Sequence, residues 1–156
     1  MKSFIYGSIT ALLAWFDLYV KKFVEKEVPL GEEQEECGGR ILIRHVHNRG
    51  FALNQAEAYP TLVKCVSVGA LGSIVAYVIY IWKHGVCACE KLAASLVLAG
   101  GISNTYERFK KGYVVDYFGF KTKCEKFNRI TFNLGDMFIF VGGIILILKD
   151  ISKGKH

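Results

Sequence analysis

Four long apolar stretches, separated by sections rich in charge, dominate the pattern of this chain. A bilayer crossing needs ~20 mostly apolar residues, with a range of roughly 17–25. The first three stretches meet that length, and the fourth does so only if residues 132–136 form its first turn, which would place Asp136 at the membrane boundary. The pattern therefore predicts an α-helical polytopic membrane protein with four transmembrane helices in a single domain, residues 1–156. The predicted spans are residues 3–20, 61–82, 88–106 and 132–149.

Two other interpretations of the apolar stretches meet obstacles. A soluble helical bundle would have to bury residues 74–82 and 139–148 on all sides. A cleaved secretory signal fits the apolar run after Lys2, but Asp17 and Lys21 follow that run without a small-residue cleavage pattern. We therefore expect the first span to be retained.

The polar section between the first two spans, residues 21–60, contains a strand pattern. Its acidic stretch at 31–39 is typical of a turn, and residues 40–47 are rich in β-branched side chains between two turn signals. His45 and His47 would lie on one side of that strand, as metal ligands do. Because no third ligand is evident nearby, we expect two half-exposed strand histidines and no metal.

Charge changes the picture in two ways. The net charge is +6, but the basic residues flank apolar spans and form no basic face interleaved with aromatics, so we expect contact with lipid headgroups and no nucleic-acid binding. Lys and Arg number six in residues 21–49 and seven in residues 108–129, against six on the other side of the predicted membrane. The positive-inside tendency would place these two long loops in the cytoplasm.

Five cysteines leave two possibilities open. The pair at 87 and 89 is too tightly spaced for a zinc knuckle, and no second pair completes four ligands. Cys37 and Cys124 fall in the two long loops, where they either pair on an oxidising side of the membrane or remain small unpaired residues.

Polar residues beside the apolar stretches supply the candidate chemistry. A carboxylate at a membrane boundary is costly and normally marks a proton relay, an ion path or a catalytic site. Asp116 and Asp136 together suggest an aspartic dyad, in which one acid is protonated while the other is ionised. Asp17 and Lys21 have the i, i+4 spacing of a helical ion pair. Polar groups in hydrocarbon need partners, so we expect these to meet: Asn104, Arg108, Asn133, Asp116 and Asp136.

These clusters together resemble signal peptidase II, the lipoprotein signal peptidase family of bacteria. The family pattern Gly-Asn-x-x-Asp-Arg, a later Gly and Val-Val-Asp-Phe has its spacing reproduced by residues 104–108, Gly112 and residues 114–117. Phe-Asn-x-Ala-Asp corresponds to residues 132–136. The first-span motif Asp-x-x-x-Lys has its counterpart in Asp17 and Lys21, and the motif Asn-x-Gly in Asn48 and Gly50. The resemblance therefore covers essentially the whole chain.

The resemblance implies a membrane aspartic endopeptidase that removes the signal peptide of diacylglyceryl-modified prolipoproteins by cutting just before the lipidated cysteine. It implies Asp116 and Asp136 as catalytic residues, and no metal or cofactor. It also implies a monomer in the bacterial cytoplasmic membrane, with the β-containing section and the active site at the extracytoplasmic face, against the charge count. Substrate-binding or orienting roles fall to Asn48, Gly50, Asn104, Arg108, Asn133, Asp17 and Lys21.

Three departures from the family pattern bear on the site and on its substrate preference. One is in residues 51–54, which differ from the small and aromatic residues usual after Asn-x-Gly. Glu107 stands where aspartate is usual, and Gly135 replaces the alanine before the second aspartate, which is expected to loosen the backbone. Glu107 and Gly135 leave open a homologue that binds lipidated peptides without cutting them. A second alternative, of a different class, is a small proton-coupled transport protein that uses the aspartates as a relay. Internal inverted repeats, typical of transporters, are absent from the sequence.

Overall fold

A computed structural model describes residues 2–51, 54–84 and 86–153. Most of these residues are helical, with one small antiparallel sheet. In chain order the elements are α1 (Lys2–Glu27), β1 (Glu33–Glu36), β2 (Ile41–Asn48), α2 (Pro60–Lys83), α3 (Ala88–Lys110), β3 (Val114–Phe120), α4 (Glu125–Asn128) and α5 (Leu134–Lys153). Each long helix extends beyond the corresponding predicted span at one or both ends.

Local sequence explains where the helices begin and end. Pro60 occupies the first turn of α2, where its missing N–H costs nothing. Glu90 closes a capping box with Cys87 at the start of α3. Gly112 follows α3 with φ +83, a left-handed conformation that glycine adopts without strain, and its N–H donates to the Arg108 carbonyl. This turn sends the chain directly from α3 into β3.

The sheet has the order β1-β2-β3, and both pairings are antiparallel. The prediction of a strand at 40–47 is confirmed by β2. The acidic stretch, predicted as a turn, instead supplies β1, and the turn itself lies at Cys37–Gly39, all with positive φ. The third strand was missed: β3 comes from the loop after α3, so the sheet is built from two separate parts of the chain. Val46 of β2 lies opposite Asp116 of β3.

Helix α3 is the centre of the bundle and packs against α1, α2 and α5. Its contact with α5 depends on small residues spaced seven apart on both helices. A Cβ at Gly100 would lie 2.1 Å from the Gly135 carbonyl oxygen, and a Cβ at Gly142 would lie 2.5 Å from the Ala93 carbonyl oxygen. Close backbone approach through such residues is common between membrane helices.

Membrane character is distributed unevenly over the helices. By length and composition, α2 is the one helix of the described residues that is apolar enough to cross a membrane. Helices α1 and α3 carry polar residues on the faces they bury against each other, among them Asp17 and Asn104. Four membrane crossings therefore stay a prediction at this point.

Candidate active site

Asp116 lies on β3 and is almost completely buried, with 3% of its surface exposed. Its Oδ2 accepts a hydrogen bond from Asn48 Nδ2 at 2.9 Å, and its Oδ1 accepts one from Asn133 Nδ2 at 2.7 Å. Burial, and next the negative charge of Asp136, raise the pKa of Asp116 from 3.8 to about 7. The carboxyl group is therefore poised between its protonated and ionised forms near neutral pH.

Asp136 lies in the first turn of α5, three residues after Asn133. The two residues cap the helix reciprocally: Asn133 Oδ1 accepts from the Asp136 backbone N–H at 2.9 Å, and Asp136 Oδ2 accepts from the Asn133 backbone N–H at 3.1 Å. The Nδ2 of the same Asn133 side chain donates to Asp116. Asn133, which is fully buried, thus connects the two aspartates through the start of α5.

Three asparagines direct their amide nitrogens at the two carboxylates, and each is oriented by a donor on its own oxygen. Asn104 Oδ1 accepts from Lys21 Nζ at 2.6 Å, which leaves Nδ2 to donate to Asp136 Oδ1 at 2.8 Å. Asn48 Oδ1 accepts from the Gly50 N–H at 3.1 Å, which leaves its Nδ2 for Asp116. Because Lys and backbone N–H groups can only donate, neither amide can turn round without losing a bond.

The predicted ion pair between Asp17 and Lys21 is confirmed and fully buried. Lys21 Nζ lies 2.8 Å from Asp17 Oδ2, and it also donates to Asn104 and to Ser103 Oγ at 3.1 Å. All three ammonium protons are therefore used. Ser103 in turn donates to Asp17, so α1 and α3 are joined by a closed polar network, which is connected to Asp136 through Asn104.

Glu107 holds the strand that carries Asp116. Its Oε2 accepts from the Val115 backbone N–H at 2.9 Å, and its Oε1 accepts from Lys111 Nζ at 2.6 Å. Lys21 Nζ lies 3.6 Å from Glu107 Oε2, so two lysines balance the buried negative charge of Glu107. The glutamate side chain, one methylene longer than aspartate, therefore reaches from α3 to the backbone N–H of Val115, the residue before Asp116.

Arg108 and Gly50 meet at the edge of the site. Arg108 Nη2 donates to the Gly50 carbonyl at 3.0 Å, which fixes the turn after β2. Within the described part of the chain, Arg108 makes no ion pair with either aspartate, and its Nε is buried without a hydrogen-bond partner. Arg108 nevertheless lines the same cavity as both aspartates, in agreement with the expectation that these polar groups meet.

A cavity of about 390 Å³, called the inner cavity below, opens between α2, α3 and α5. Both aspartates line it, together with Asn48, Asn104, Arg108 and Asn133. The wall opposite these polar groups is apolar and includes Val66, Leu71 and Ile139. The site therefore combines an apolar chamber with two carboxyl groups at its polar end.

Sequence reasoning missed the role of Tyr117 and misjudged Gly135. The Tyr117 hydroxyl accepts from the Leu134 N–H at 3.0 Å and lies 3.4 Å from Asp17 Oδ1. The available signal was a tyrosine where the family pattern has phenylalanine. Gly135 does not loosen the backbone: it is buried within α5, and a Cβ there would lie 2.8 Å from Asp17 Oδ2 and 3.0 Å from Asn133 Oδ1. Glycine is needed here for close approach.

The histidines and cysteines lie apart from the dyad. His45 is buried, contrary to expectation, and His47 is half-buried; their Nε2 atoms are 3.1 Å apart, and His45 Nδ1 donates to the Val28 carbonyl at 2.7 Å. Among the described residues, no group of three or more His, Cys, Asp or Glu side chains is arranged to hold a metal ion. Cys37 and Cys124 are exposed and unbonded.

The arrangement suits hydrolysis by two carboxyl groups that share one proton. Two close carboxyl groups cannot both ionise easily, so one can accept a proton from water while the other donates a proton to a substrate. Amide hydrolysis needs both actions. The asparagine amides hold both groups in place, and the inner cavity provides an apolar chamber beside them.

Comparison with known proteins gives a consistent result along the whole chain. A family model described as signal peptidase (SPase) II matches residues 9–152. The lipoprotein signal peptidase of Streptococcus pneumoniae is 28% identical over 157 residues, covering 97% of this chain and 95% of the relative. The enzyme of the same name from Fusobacterium nucleatum is 28% identical, covering 96% and 87%.

Solved structures with the same fold are also known. A bacterial membrane enzyme determined by the in meso method at 2.3 Å resolution superposes with a TM-score of 0.82 and 21% identity, covering 96% of this chain and 89% of that one. A second such enzyme, at 1.9 Å resolution, gives a TM-score of 0.73 and 20% identity, covering 93% and 91%. The helical bundle with its small sheet is therefore a fold of bacterial membrane enzymes.

Proposed function

The chain belongs to the signal peptidase II family of bacterial membrane peptidases, and from this premise we propose that it removes signal peptides from diacylglyceryl-modified prolipoproteins as an aspartic endopeptidase. Asp116 and Asp136 are the catalytic pair. The observation that carries this proposal is the bridge made by Asn133, which hydrogen-bonds both carboxyl groups from one fully buried side chain.

In the proposed reaction the two aspartates share one proton. The ionised member takes a proton from water as the water oxygen attacks the carbonyl carbon before the lipidated cysteine. The protonated member donates to the carbonyl oxygen, and a proton then passes to the amide nitrogen as the C–N bond breaks. The products are the carboxylate of the signal peptide and the free amine of the cysteine. A pKa of about 7 for Asp116 matches this role at neutral pH.

The remaining site residues act by position. Asn48, Asn104 and Asn133 orient the carboxyl groups, while Asp17 and Lys21 fix Asn104 from α1. Gly50 and Arg108 shape the rim of the site through the hydrogen bond from Arg108 Nη2 to the Gly50 carbonyl.

We also propose that α1, α2, α3 and α5 each cross the membrane, in a monomer in contact with lipid. At ~1.5 Å per residue, even α5, with 20 residues, reaches the ~30 Å thickness of the hydrocarbon core. The polar residues of α1 and α3 face each other, and large apolar side chains such as Leu12, Trp15 and Phe140 are exposed on the outside of the bundle. The sheet and the dyad lie toward one end, which we assign to the extracytoplasmic side.

The test is cleavage in detergent or lipid of a prolipoprotein that already carries diacylglycerol, followed by gel mobility. The wild type should release the signal peptide, and Asp116→Asn and Asp136→Asn should each reduce cleavage below detection. Asp150→Asn is the matched control, because Asp150 is an exposed acid at the far end of the same helix as Asp136. It should cleave like the wild type.

Two results would contradict the proposal. Cleavage that persists in Asp116→Asn or Asp136→Asn would show that the aspartates are not the catalytic pair. A wild type that binds the lipidated substrate without cutting it would show that the protein is not an active peptidase.

A further inference from the structure

Asp116 lies between two cavities of different character. The inner cavity is apolar and extends between the helices. A second cavity of about 210 Å³, here the outer cavity, lies on the sheet side of Asp116 and receives no residue from α2, α3 or α5. It is lined by Val46, Asn48, Asn54, Asp116, Arg129 and Thr131. A peptide cut at Asp116 therefore has an apolar chamber on one side and a polar one on the other.

Arg129 gives the outer cavity its charge. Its side chain is exposed, and it forms no ion pair or side-chain hydrogen bond with any residue that the structure describes. The nearby Arg44, by contrast, is paired with Glu33 at 2.5 Å. The outer cavity thus has one cation without a protein partner among the described residues, beside neutral polar groups and Asp116.

The segment that carries Arg129 is anchored. The preceding residue, Asn128, accepts a hydrogen bond from Arg44 Nη1 at 2.7 Å through its carbonyl, and its side chain accepts from Thr122 N at 2.7 Å. Phe127 stacks on Phe120 with 6.4 Å between ring centroids. These contacts fix the backbone position of Arg129 relative to the sheet and hence to Asp116.

The chemistry of the substrate decides which part enters which cavity. The signal peptide and the diacylglyceryl group are both apolar and match the inner cavity, whereas the mature polypeptide after the lipidated cysteine is hydrophilic. We propose that the outer cavity receives the residue that follows the lipidated cysteine, and that Arg129 makes an acidic side chain there a better substrate than a basic one. This inference rests on the proposed function.

The test uses three synthetic diacylglyceryl-modified peptides that differ only in the residue after the cysteine, which is Gln, Glu or Lys. For the wild type at low ionic strength, kcat/KM should favour Glu over Lys about five-fold, equivalent to about 1 kcal/mol and typical of a partly exposed ion pair. The preference should vanish in Arg129→Gln and invert in Arg129→Glu. Lys126→Gln is the matched control, because it removes an equal charge from the same segment without lining either cavity.

The outcomes separate this subsite from the catalytic proposal. Cleavage of the Gln peptide by the wild type, with equal rates for Glu and Lys, would overturn the subsite alone. The subsite is also overturned if Lys126→Gln shifts the ratio as much as Arg129→Gln does, because the effect would then be a general surface field. No cleavage of any peptide by the wild type would overturn the proposed function and the subsite with it.

Discussion

Gly100→Ala tests whether the contact between α3 and α5 sets the position of Asp136, one of the proposed catalytic pair. A Cβ at Gly100 would lie 2.1 Å from the Gly135 carbonyl oxygen and 2.9 Å from its carbonyl carbon. Gly135 immediately precedes Asp136, so any movement of α5 that relieves this clash also moves the carboxyl group. The neighbouring Gly101 offers a matched control, since its Cβ would meet only the ends of flexible side chains, the nearest being Leu71 at 3.3 Å.

The expected size of the effect follows from these distances. Ordinary contact begins at about 3.4 Å, so the two backbones must separate by about 1.3 Å at Gly100. Overpacking of this kind typically costs about 1–3 kcal/mol. A misplacement of ~1 Å in a catalytic group can lower the rate by ~10²-fold. Both alanines gain the same helix propensity over glycine, so that contribution cancels in the comparison.

The assay is kcat/KM for prolipoprotein cleavage, with thermal unfolding in detergent as the measure of stability. Gly100→Ala should lose activity by about 100-fold and unfold at a lower temperature, whereas Gly101→Ala should stay close to the wild type in both. Wild-type activity and stability in Gly100→Ala would refute the close approach of α3 and α5. Loss of stability with full activity would refute its role in placing Asp136.

Three further predictions concern charge and orientation. Because burial raises the pKa of Asp116 to about 7, its protonated form stabilises the fold at low pH, and that contribution is lost as pH rises from about 4 through about 7. Cleavage should fall as pH rises above about 7, where Asp116 loses its proton. The temperature of thermal unfolding, plotted against pH, should show a slope that Asp116→Asn reduces, and an identical slope in the variant would contradict this. Lys21→Met leaves the buried Asp17 carboxylate without its cation and should destabilise the protein by about 3–5 kcal/mol. Adding Asp17→Asn should recover part of this loss, and no recovery in denaturant unfolding would argue against the ion pair. In intact cells, a membrane-impermeant maleimide should label a variant whose one cysteine is Cys37 and spare one that keeps only Cys87, and the reverse pattern would place the sheet in the cytoplasm.

The sequence was informative about the site because buried polar groups must find partners. Asn104, Asn133 and Asp136 interrupt apolar stretches, and in the structure they hydrogen-bond to one another or to Asp116. The i, i+4 spacing of Asp17 and Lys21 likewise predicted the ion pair that the structure contains. These inferences depend on local spacing and on the cost of unpaired polarity.

The parts that could not be predicted depend on contacts between distant segments. The segment Val114–Phe120 is rich in β-branched and aromatic residues, which is a local strand signal. Its partner β2 lies about seventy positions earlier, however, so the place of Asp116 in the sheet could not be predicted from that segment. Gly135 is required by the approach of Asp17 and Gly100 from other helices, which no local rule shows. The part played by Glu107 lies in a bond to the backbone of Val115, and backbone partners leave no trace in side-chain spacing.

The reciprocal cap between Asn133 and Asp136 makes the geometry of the candidate site depend on the formation and docking of α5. Asp136 acquires its hydrogen-bonding environment only when the first turn of α5 forms, and Asn133 reaches Asp116 only when that turn docks on the completed sheet. Without α5 in place, Asp116 lacks both the hydrogen bond from Asn133 and the neighbouring charge of Asp136. With the proposed catalytic pair, peptidase activity therefore requires that α5 be docked against the sheet.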